Sequence, residues 1–434
     1  MGKVRLQSYC PHLQMKTEIA TLKKFFESQM PSALEMLRKM VEINSFTSNR
    51  EGVNRLGQLT ATFFAPLGFA ATFVPSSNPE WGNHLVMTRA GRSGKSIAMV
   101  SHLDTVFSPE EELANNFRWQ VEADRIFGPG TLDIKGGTVM MWLVLMALRA
   151  HAKETFEDIT WKLFLNSSEE RLSSDFDQVC RSRFEKELLA VLVFEAENRA
   201  GDKRLMVAAR KGRATWKVTV QGRGAHAGGN LPHGVNAIVQ LGRTVQQIDA
   251  LTDFSKGVTF NVGNIRGGTV LNRVPHEAVA EGEFRAFNQN VFDEAKSRLL
   301  ALVGPGEIRS TVDGYGAEIR IEITNESRAW PRNSATERLL NLWIEASAQL
   351  GTSVVGEERG GLSDGNSFWD IAPTLDGLGP WGDNDHCSER SQDGSKLPEF
   401  VEISSFVPKA LLNTVAICKL ASVAMLTQEV NRPS

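Results

Sequence analysis

Apolar runs along this chain follow one order up to residue 211, another from 212 to 325, and the first again afterwards, which leaves few architectures open. Short β-type runs at 84–88, 96–100, 159–165 and 189–194 alternate with helical periods at 17–43, 52–66 and 136–151. Strands alternating with helices imply an α/β sheet. Pro31 falls inside the first period, so one helix is expected to stop there and a second to begin. From Gly212 the order becomes strand 213–220, helix 234–250, strands 257–263 and 277–286, helix 290–303 and strand 317–323. That is the β-α-β-β-α-β signature of a ferredoxin-like unit. A helix at 334–350, a strand near 352–356, a loop-rich stretch to 400 and a helix at 402–420 then return to the first pattern. The expected fold is a split α/β domain, residues 1–211 and 326–434, with a mixed, mostly parallel sheet flanked by helices and an inserted α+β domain at 212–325.

Composition narrows the function classes. With 434 residues, 41% hydrophobic and 23% charged, the chain has the balance of an ordinary globular protein of two or three domains. A net charge of −3 supplies no basic field, so neither nucleic acid nor a charged membrane surface is expected as a partner. The four cysteines, Cys10, Cys180, Cys387 and Cys418, form no CxxC pair, which argues against a disulfide framework and a zinc ribbon and for a reducing compartment. Residues 1–24 hold no apolar stretch of the length a secretory leader needs, and the expected location is the cytoplasm. The most apolar window, 137–150, is too short to span a bilayer, so it reads as a buried helix and no transmembrane segment is expected. Two glycine-rich stretches mislead: Arg89 stands where a P-loop needs its first glycine, and 222–228 has the wrong spacing for a dinucleotide loop. A serine hydrolase is not expected.

Chemistry-bearing residues cluster just beyond the expected strands: His102 and Asp104 after 96–100, Glu169 and Glu170 after 159–165, Glu195 after 189–194, with Asp133 ahead of the apolar helix. Ligands of open α/β sheets bind outside the carboxyl ends of the strands. Singly, such a residue is more often a capped turn or solvated residue than a functional one; jointly they are expected to converge on one crevice. In His102-Leu-Asp104 the i and i+2 side chains share a face, so one can ligate a metal while the other holds the second ring nitrogen. Asp133 lies in Gly128-Pro-Gly-Thr-Leu-Asp-Ile-Lys-Gly-Gly137, a flexible turn beside a helix start, where a carboxylate is suited to bridge two cations. Adjacent Glu169 and Glu170 would repel if buried unpaired. Metal ligation by one and proton transfer by the other gives the pair a physical reason.

The series Ser101-His-Leu-Asp-Thr-Val106, Gly130-Thr-Leu-Asp-Ile-Lys-Gly-Gly137, Asn166-Ser-Ser-Glu-Glu-Arg171, Phe194-Glu-Ala196, Gly224-Ala-His-Ala-Gly228 and a late His386 resembles the M20 family of di-zinc metallopeptidases. Within it the chain is most similar to the glutamate carboxypeptidase (carboxypeptidase G2-like) branch. The resemblance implies that Asp133 bridges two zinc ions, with His102 and Glu195 completing one site and Glu170 and His386 the other. Cobalt or manganese could replace zinc. Asp104 would orient His102, and Glu169 would be the general base. His226, in the inserted lid and dimerisation domain, would reach the active site of the other subunit of a homodimer and help stabilise the oxyanion. Asn272, Arg285 and Gly361, the last in the loop Gly360-Gly-Leu-Ser-Asp-Gly365, would bind substrate, the arginine taking an α-carboxylate. Arg204, Arg210 and Lys211 could pair with a substrate glutamate or be solvated.

The implied activity is metal-dependent hydrolysis of an amide bond next to a free carboxylate, releasing a C-terminal amino acid, glutamate favoured, from N-acyl amino acids or short peptides. An aminoacylase, deacylase or dipeptidase is the alternative within the family. A catalytically silent member that binds a small molecule is the alternative outside enzymes. Ser168 and Leu172 depart from the family pattern, and Asp385 and Cys387 flank His386 as rival ligands.

Overall fold

Strand Lys95–His102 is buried along its whole length. Ile97 and Met99 enter one apolar cluster, while Ala98 and Val100 enter another, so both faces of the sheet are covered. The strand lies inside a six-stranded sheet whose spatial order is Ala70–Val74, His84–Arg89, Thr160–Asn166, Lys95–His102, Glu187–Val193 and Thr374–Leu375. The first two junctions are antiparallel and the other three parallel, giving the mixed, mostly parallel sheet that the sequence predicts. This computed structural model describes residues 11–171, 173 and 175–430. Cys10 and Leu172 lie outside the described residues. The chain forms two compact units: one of residues up to Ala208 together with Asn333–Glu357 and from Ser363 onward, the other of Ala209–Arg332 and Glu358–Leu362.

In the first unit, helices Pro11–Val41, Gly136–His151, Ser334–Gln349 and Ile403–Val430 contribute to the larger apolar cluster. The break expected at Pro31 does not occur: the helix runs through it. Phe26 on one side and Ala33, Met36, Leu37 and Met40 on the other are all buried in the same cluster. Burying those side chains, about 1.5 to 3 kcal/mol each for the large ones, outweighs the one hydrogen bond a proline removes. The apolar helix starts at Gly136 and holds eleven buried residues, from Gly136 to Leu148. Stretches Thr131–His151 and Ile403–Val423 are long and apolar enough to cross a membrane by length and composition, beyond what the sequence reading allowed, yet 83% and 56% of their windows are buried inside the protein. A core helix passes the same test.

The sequence reading missed a small sheet of Gln120–Glu122, Arg125–Phe127, Gly382–Asp383 and Phe400–Glu402. Its strands are two or three residues long, too short for any period to register.

In the second unit, strand Gly212–Gln221 alternates buried and half-buried residues, with Ala214, Trp216, Val218 and Val220 turned inward. Its sheet runs Thr259–Gly267, Glu277–Ala286, Gly212–Gln221, Gly316–Ser327, Gly304–Arg309, antiparallel throughout. Leu241 and Ile248 of helix Ala237–Asp249 and Phe292 and Leu299 of helix Gln289–Leu300 close the same cluster. Four of the strands and both helices reproduce the β-α-β-β-α-β order; the fifth, edge strand, Gly304–Arg309, falls in the stretch between helix 290–303 and strand 317–323 that was read as loop.

Candidate metal centre

Parallel pairing aligns the carboxyl ends of three strands. His102 is the last residue of its strand and stands opposite Asn166, the last of the next. Glu169 and Glu170 follow Asn166 in a one-turn helix, and Glu195 lies two residues past Val193. Asp133 arrives from the turn before Gly136. That turn needs Gly130 at φ 73°, where a Cβ would also stand 2.8 Å from Thr105 Cγ2. His386 arrives from the loop between strands Gly382–Asp383 and Phe400–Glu402.

The carboxylate of Asp133 faces two imidazoles, one per oxygen. Oδ1 is 2.9 Å from His102 Nε2 and Oδ2 is 3.2 Å from His386 Nε2. Glu170 Oε2 is 3.3 Å from His386 Nε2, and Glu195 Oε1 is 3.9 Å from His102 Nε2. His102, Asp133 and Glu170 each offer a ligand atom within 4.8 Å of the others. Every one of the five residues expected as metal ligands is therefore drawn into one cluster.

Asp104 departs from the expectation. The atom nearest His102 Nδ1 is the Asp104 main-chain oxygen at 2.9 Å, with carboxylate Oδ1 at 3.5 Å. The carboxylate instead accepts the Glu169 N–H at 3.0 Å, the Glu170 N–H at 3.2 Å and the Thr47 hydroxyl at 2.7 Å. Its backbone turns beneath the ring, so main chain holds the imidazole and side chain holds the glutamate pair.

Charge is crowded here. Burial pushes Glu169 well above the ordinary carboxylate range, and burial together with Asp133 raises Glu170, whose Oε1 is buried with no hydrogen-bond partner. Burial disfavours the Asp133 carboxylate, but His102 and His386 outweigh it and hold the group below its usual range. Hydrogen bonds to Asp133 and Glu170 push His386 up to about 11. At His102 burial is overcome by Asp133, Glu195 and Glu169, and the ring is held well above the ordinary imidazole value. A nest of inward carboxylates with imidazole between them, one oxygen orphaned, has the donor chemistry for divalent metal, and the residues fit such ions.

Sequence reasoning missed two carboxylates beside this cluster. Asp364, in the glycine-rich loop, is pushed up to about 7 by burial and accepts a hydrogen bond from Asn166 Nδ2 at 2.9 Å. Glu399 is fully buried and pushed up to about 8 by burial and by Asp133. Asp364 lay inside a motif already singled out, whereas Glu399 carried no local signal.

The remaining expected site residues belong to the second unit. His226 is exposed, and its Nδ1 accepts the N–H groups of Gly228 at 3.1 Å and Gly229 at 3.0 Å, which leaves the proton of the neutral ring on Nε2. Asn272 is exposed, and its main-chain carbonyl oxygen accepts the Ala227 N–H at 2.9 Å, joining the two loops. Arg285 donates to Glu283 Oε1 at 2.7 Å and to the Gly360 carbonyl at 2.8 Å. Gly361 offers its carbonyl to Arg210 Nη1 at 3.0 Å. Arg204 and Arg210 fit neither reading the sequence left open: both are buried, Arg204 against Glu197 at 2.7 Å and Arg210 on the carbonyls of Gly361 and Leu362. Lys211 Nζ reaches Thr259 Oγ1 at 3.4 Å.

Comparison with known proteins agrees with this architecture. Residues 208–308 match the peptidase dimerisation domain of the M20 family. Carboxypeptidase G2 of Pseudomonas sp. (strain RS-16) is 27% identical over 387 residues, 88% of each chain. A tripeptidase of Staphylococcus aureus superposes with a TM-score of 0.70 at 21% identity, covering 91% of this chain and 99% of that one. A dinuclear metal-binding M20 peptidase of Bacillus subtilis gives 0.62 at 14% identity, covering 91% and 99%. The chain is thus similar to M20 peptidases: to their dimerisation domain over residues 208–308 and to carboxypeptidase G2 over most of its length.

Proposed function

We propose that the protein is a di-metal carboxypeptidase that cleaves an amide bond next to a free carboxylate, releasing a C-terminal amino acid from N-acyl amino acids or short peptides. The observation that carries this reading is Asp133, whose two oxygens each meet a different histidine. His102 and Glu195 would hold one ion with it, Glu170 and His386 the other, two zinc ions per chain. When bound, such ions supply Lewis acidity that polarises a scissile carbonyl and makes water acidic near neutral pH.

The chain's own residues do the rest. Glu169, fixed at its main-chain N–H by Asp104, takes the proton of the attacking water and returns it to the departing amine. His226, with its proton on Nε2, donates to the developing oxyanion from the partner subunit of a homodimer built through the inserted domain. Asn272 and Gly361 line the substrate's path. Arg285 offers its fork to the α-carboxylate, which displaces Glu283 from it. Glutamate as the favoured residue is supported by the likeness to carboxypeptidase G2 over 88% of each chain. The setting proposed is the cytoplasm, with no nucleic-acid or membrane partner.

Metal content after purification without chelator, followed by turnover of an N-acyl glutamate against its α-amide, tests this. About two zinc ions per chain and cleavage of the free acid alone are expected. Cleavage of both compounds at equal rates would remove the carboxylate from the reading.

A further inference from the structure

Glu399 links the two segments that deliver Asp133 and His386. Its side chain is fully buried, and Oε1 accepts the N–H of Leu132 at 2.7 Å and of Asp133 at 3.1 Å. Its main-chain N–H donates to the carbonyl of Cys387, the neighbour of His386, at 2.7 Å. One residue thus hydrogen-bonds to Asp133 itself and to the residue beside His386, although 266 positions separate it from Asp133.

Neither segment has regular structure to hold it in place. Asp133 has non-helical backbone angles between Gly130 and the helix that starts at Gly136, and His386 has a positive φ of 62° between two-residue and three-residue strands. A side chain in such a loop is placed only as well as the loop's hydrogen bonds place it. The Asp133 N–H is held by Glu399 Oε1, so the direction of the Asp133 carboxylate depends on where that oxygen stands.

We infer that Glu399 is a positioning residue for the dinuclear centre: by fixing the Leu132–Asp133 main chain and the Cys387 carbonyl together, it sets the spacing between the shared carboxylate and His386. This rests on the di-metal reading above. Partners that orient metal ligands typically matter by about 10- to 100-fold in affinity.

The test is titration of the metal-free full chain with cobalt(II), reading affinity and the visible cobalt spectrum, for native protein, Glu399→Gln, Glu399→Leu and Asp133→Ala. Native protein is expected to take up two cobalt ions; uptake of none sinks the di-metal reading itself, whatever Glu399 does. Given native uptake, Glu399→Leu is expected to lose about 10- to 100-fold affinity for at least one ion and to change the spectrum. Glu399→Gln, which keeps an acceptor oxygen, is expected to restore both. Circular dichroism and Tm of the metal-free variants show whether folding survives. Should Glu399→Leu fail to fold, Glu399→Asp, which draws the acceptor back by one methylene, takes its place with the same expectation. Native-like affinity and spectrum in the folded Leu or Asp variant, or a Gln variant as impaired as they are, would overturn the inference.

Discussion

Residue by residue, the centre follows from few atoms. Glu169 is half-buried beside Glu170 and its N–H rests on Asp104, so removing its charge should leave the ligands in place. Glu169→Gln is expected to keep full metal content while kcat falls by about 10²- to 10⁴-fold, the usual range for a general base. Metal analysis beside steady-state kinetics decides it; metal lost in step with activity would make Glu169 a ligand. Asp133→Ala is expected to lose metal and activity together. Away from the centre, burial lowers the pKa of His84, which is fully buried and takes the N–H of Ser167 on its Nδ1. As pH falls through about 6.5, the unfolded chain gains a proton that the folded one refuses, so stability falls with pH in that window. In metal-free protein, the drop in Tm from pH 7.5 to 5.5 should therefore be smaller for His84→Asn than for the native chain. An unchanged drop would show that His84 titrates normally in the fold. Four of the five ligand candidates were legible because each sits just past a strand or in a glycine-rich turn, whereas His386 came from the family resemblance alone. Glu399 and Thr47 were not: their partners, Asp133 and Asp104, lie 266 and 57 positions away, and spacing cannot register that. Asp104 was placed on the right ring through the wrong atom, because a sequence shows side chains and hides main-chain oxygens.

At the scale of elements, close packing delivers the ligands. A Cβ on Gly137 would stand well inside contact distance of the Phe194 carbonyl oxygen, one residue before Glu195. The first turn of helix Gly136–His151 can approach that strand end only without a side chain there. Gly137→Ala is expected to cost about 1 to 3 kcal/mol by overpacking, read as a lower denaturant midpoint with unchanged slope. A midpoint equal to native would mean that the helix start yields freely. The longer helices and the central strands of the two large sheets were readable from period, while strands Ala70–Val74 and Lys203–Arg210 were missed. Pro31 obeyed the local rule on paper, but the apolar face on both sides of it had one core to fill, and tertiary burial outweighed local preference. The four short strands around Phe400–Glu402 were invisible because each is only two or three residues long, and one of their pairings, Phe400 with Phe127, spans more than 250 residues.

For the whole molecule, the inserted domain carries the prediction. Residues 208–308 match a dimerisation domain, and light scattering is expected to give twice the chain mass. If His226 serves the partner's site, inactive Glu169→Gln and His226→Ala chains mixed in equal amounts should recover about a quarter of native activity, since half the dimers are mixed and each has one complete site. Recovery near zero after verified subunit exchange would place His226 in its own chain's site. The split plan was legible because two kinds of periodicity meet at Gly212, although the edge strand Gly304–Arg309 was not, having glycine and proline where a period would show.

Strand Gly212–Gln221 opens the insert and strand Gly316–Ser327 closes it, and they run side by side with Arg213 opposite Ser327. The two ends of this stretch thus lie about 5 Å apart. A module mounted that way behaves as a cartridge. A short flexible loop could take its place without stretching the host, or a foreign module with neighbouring ends could be fitted to the same mounting.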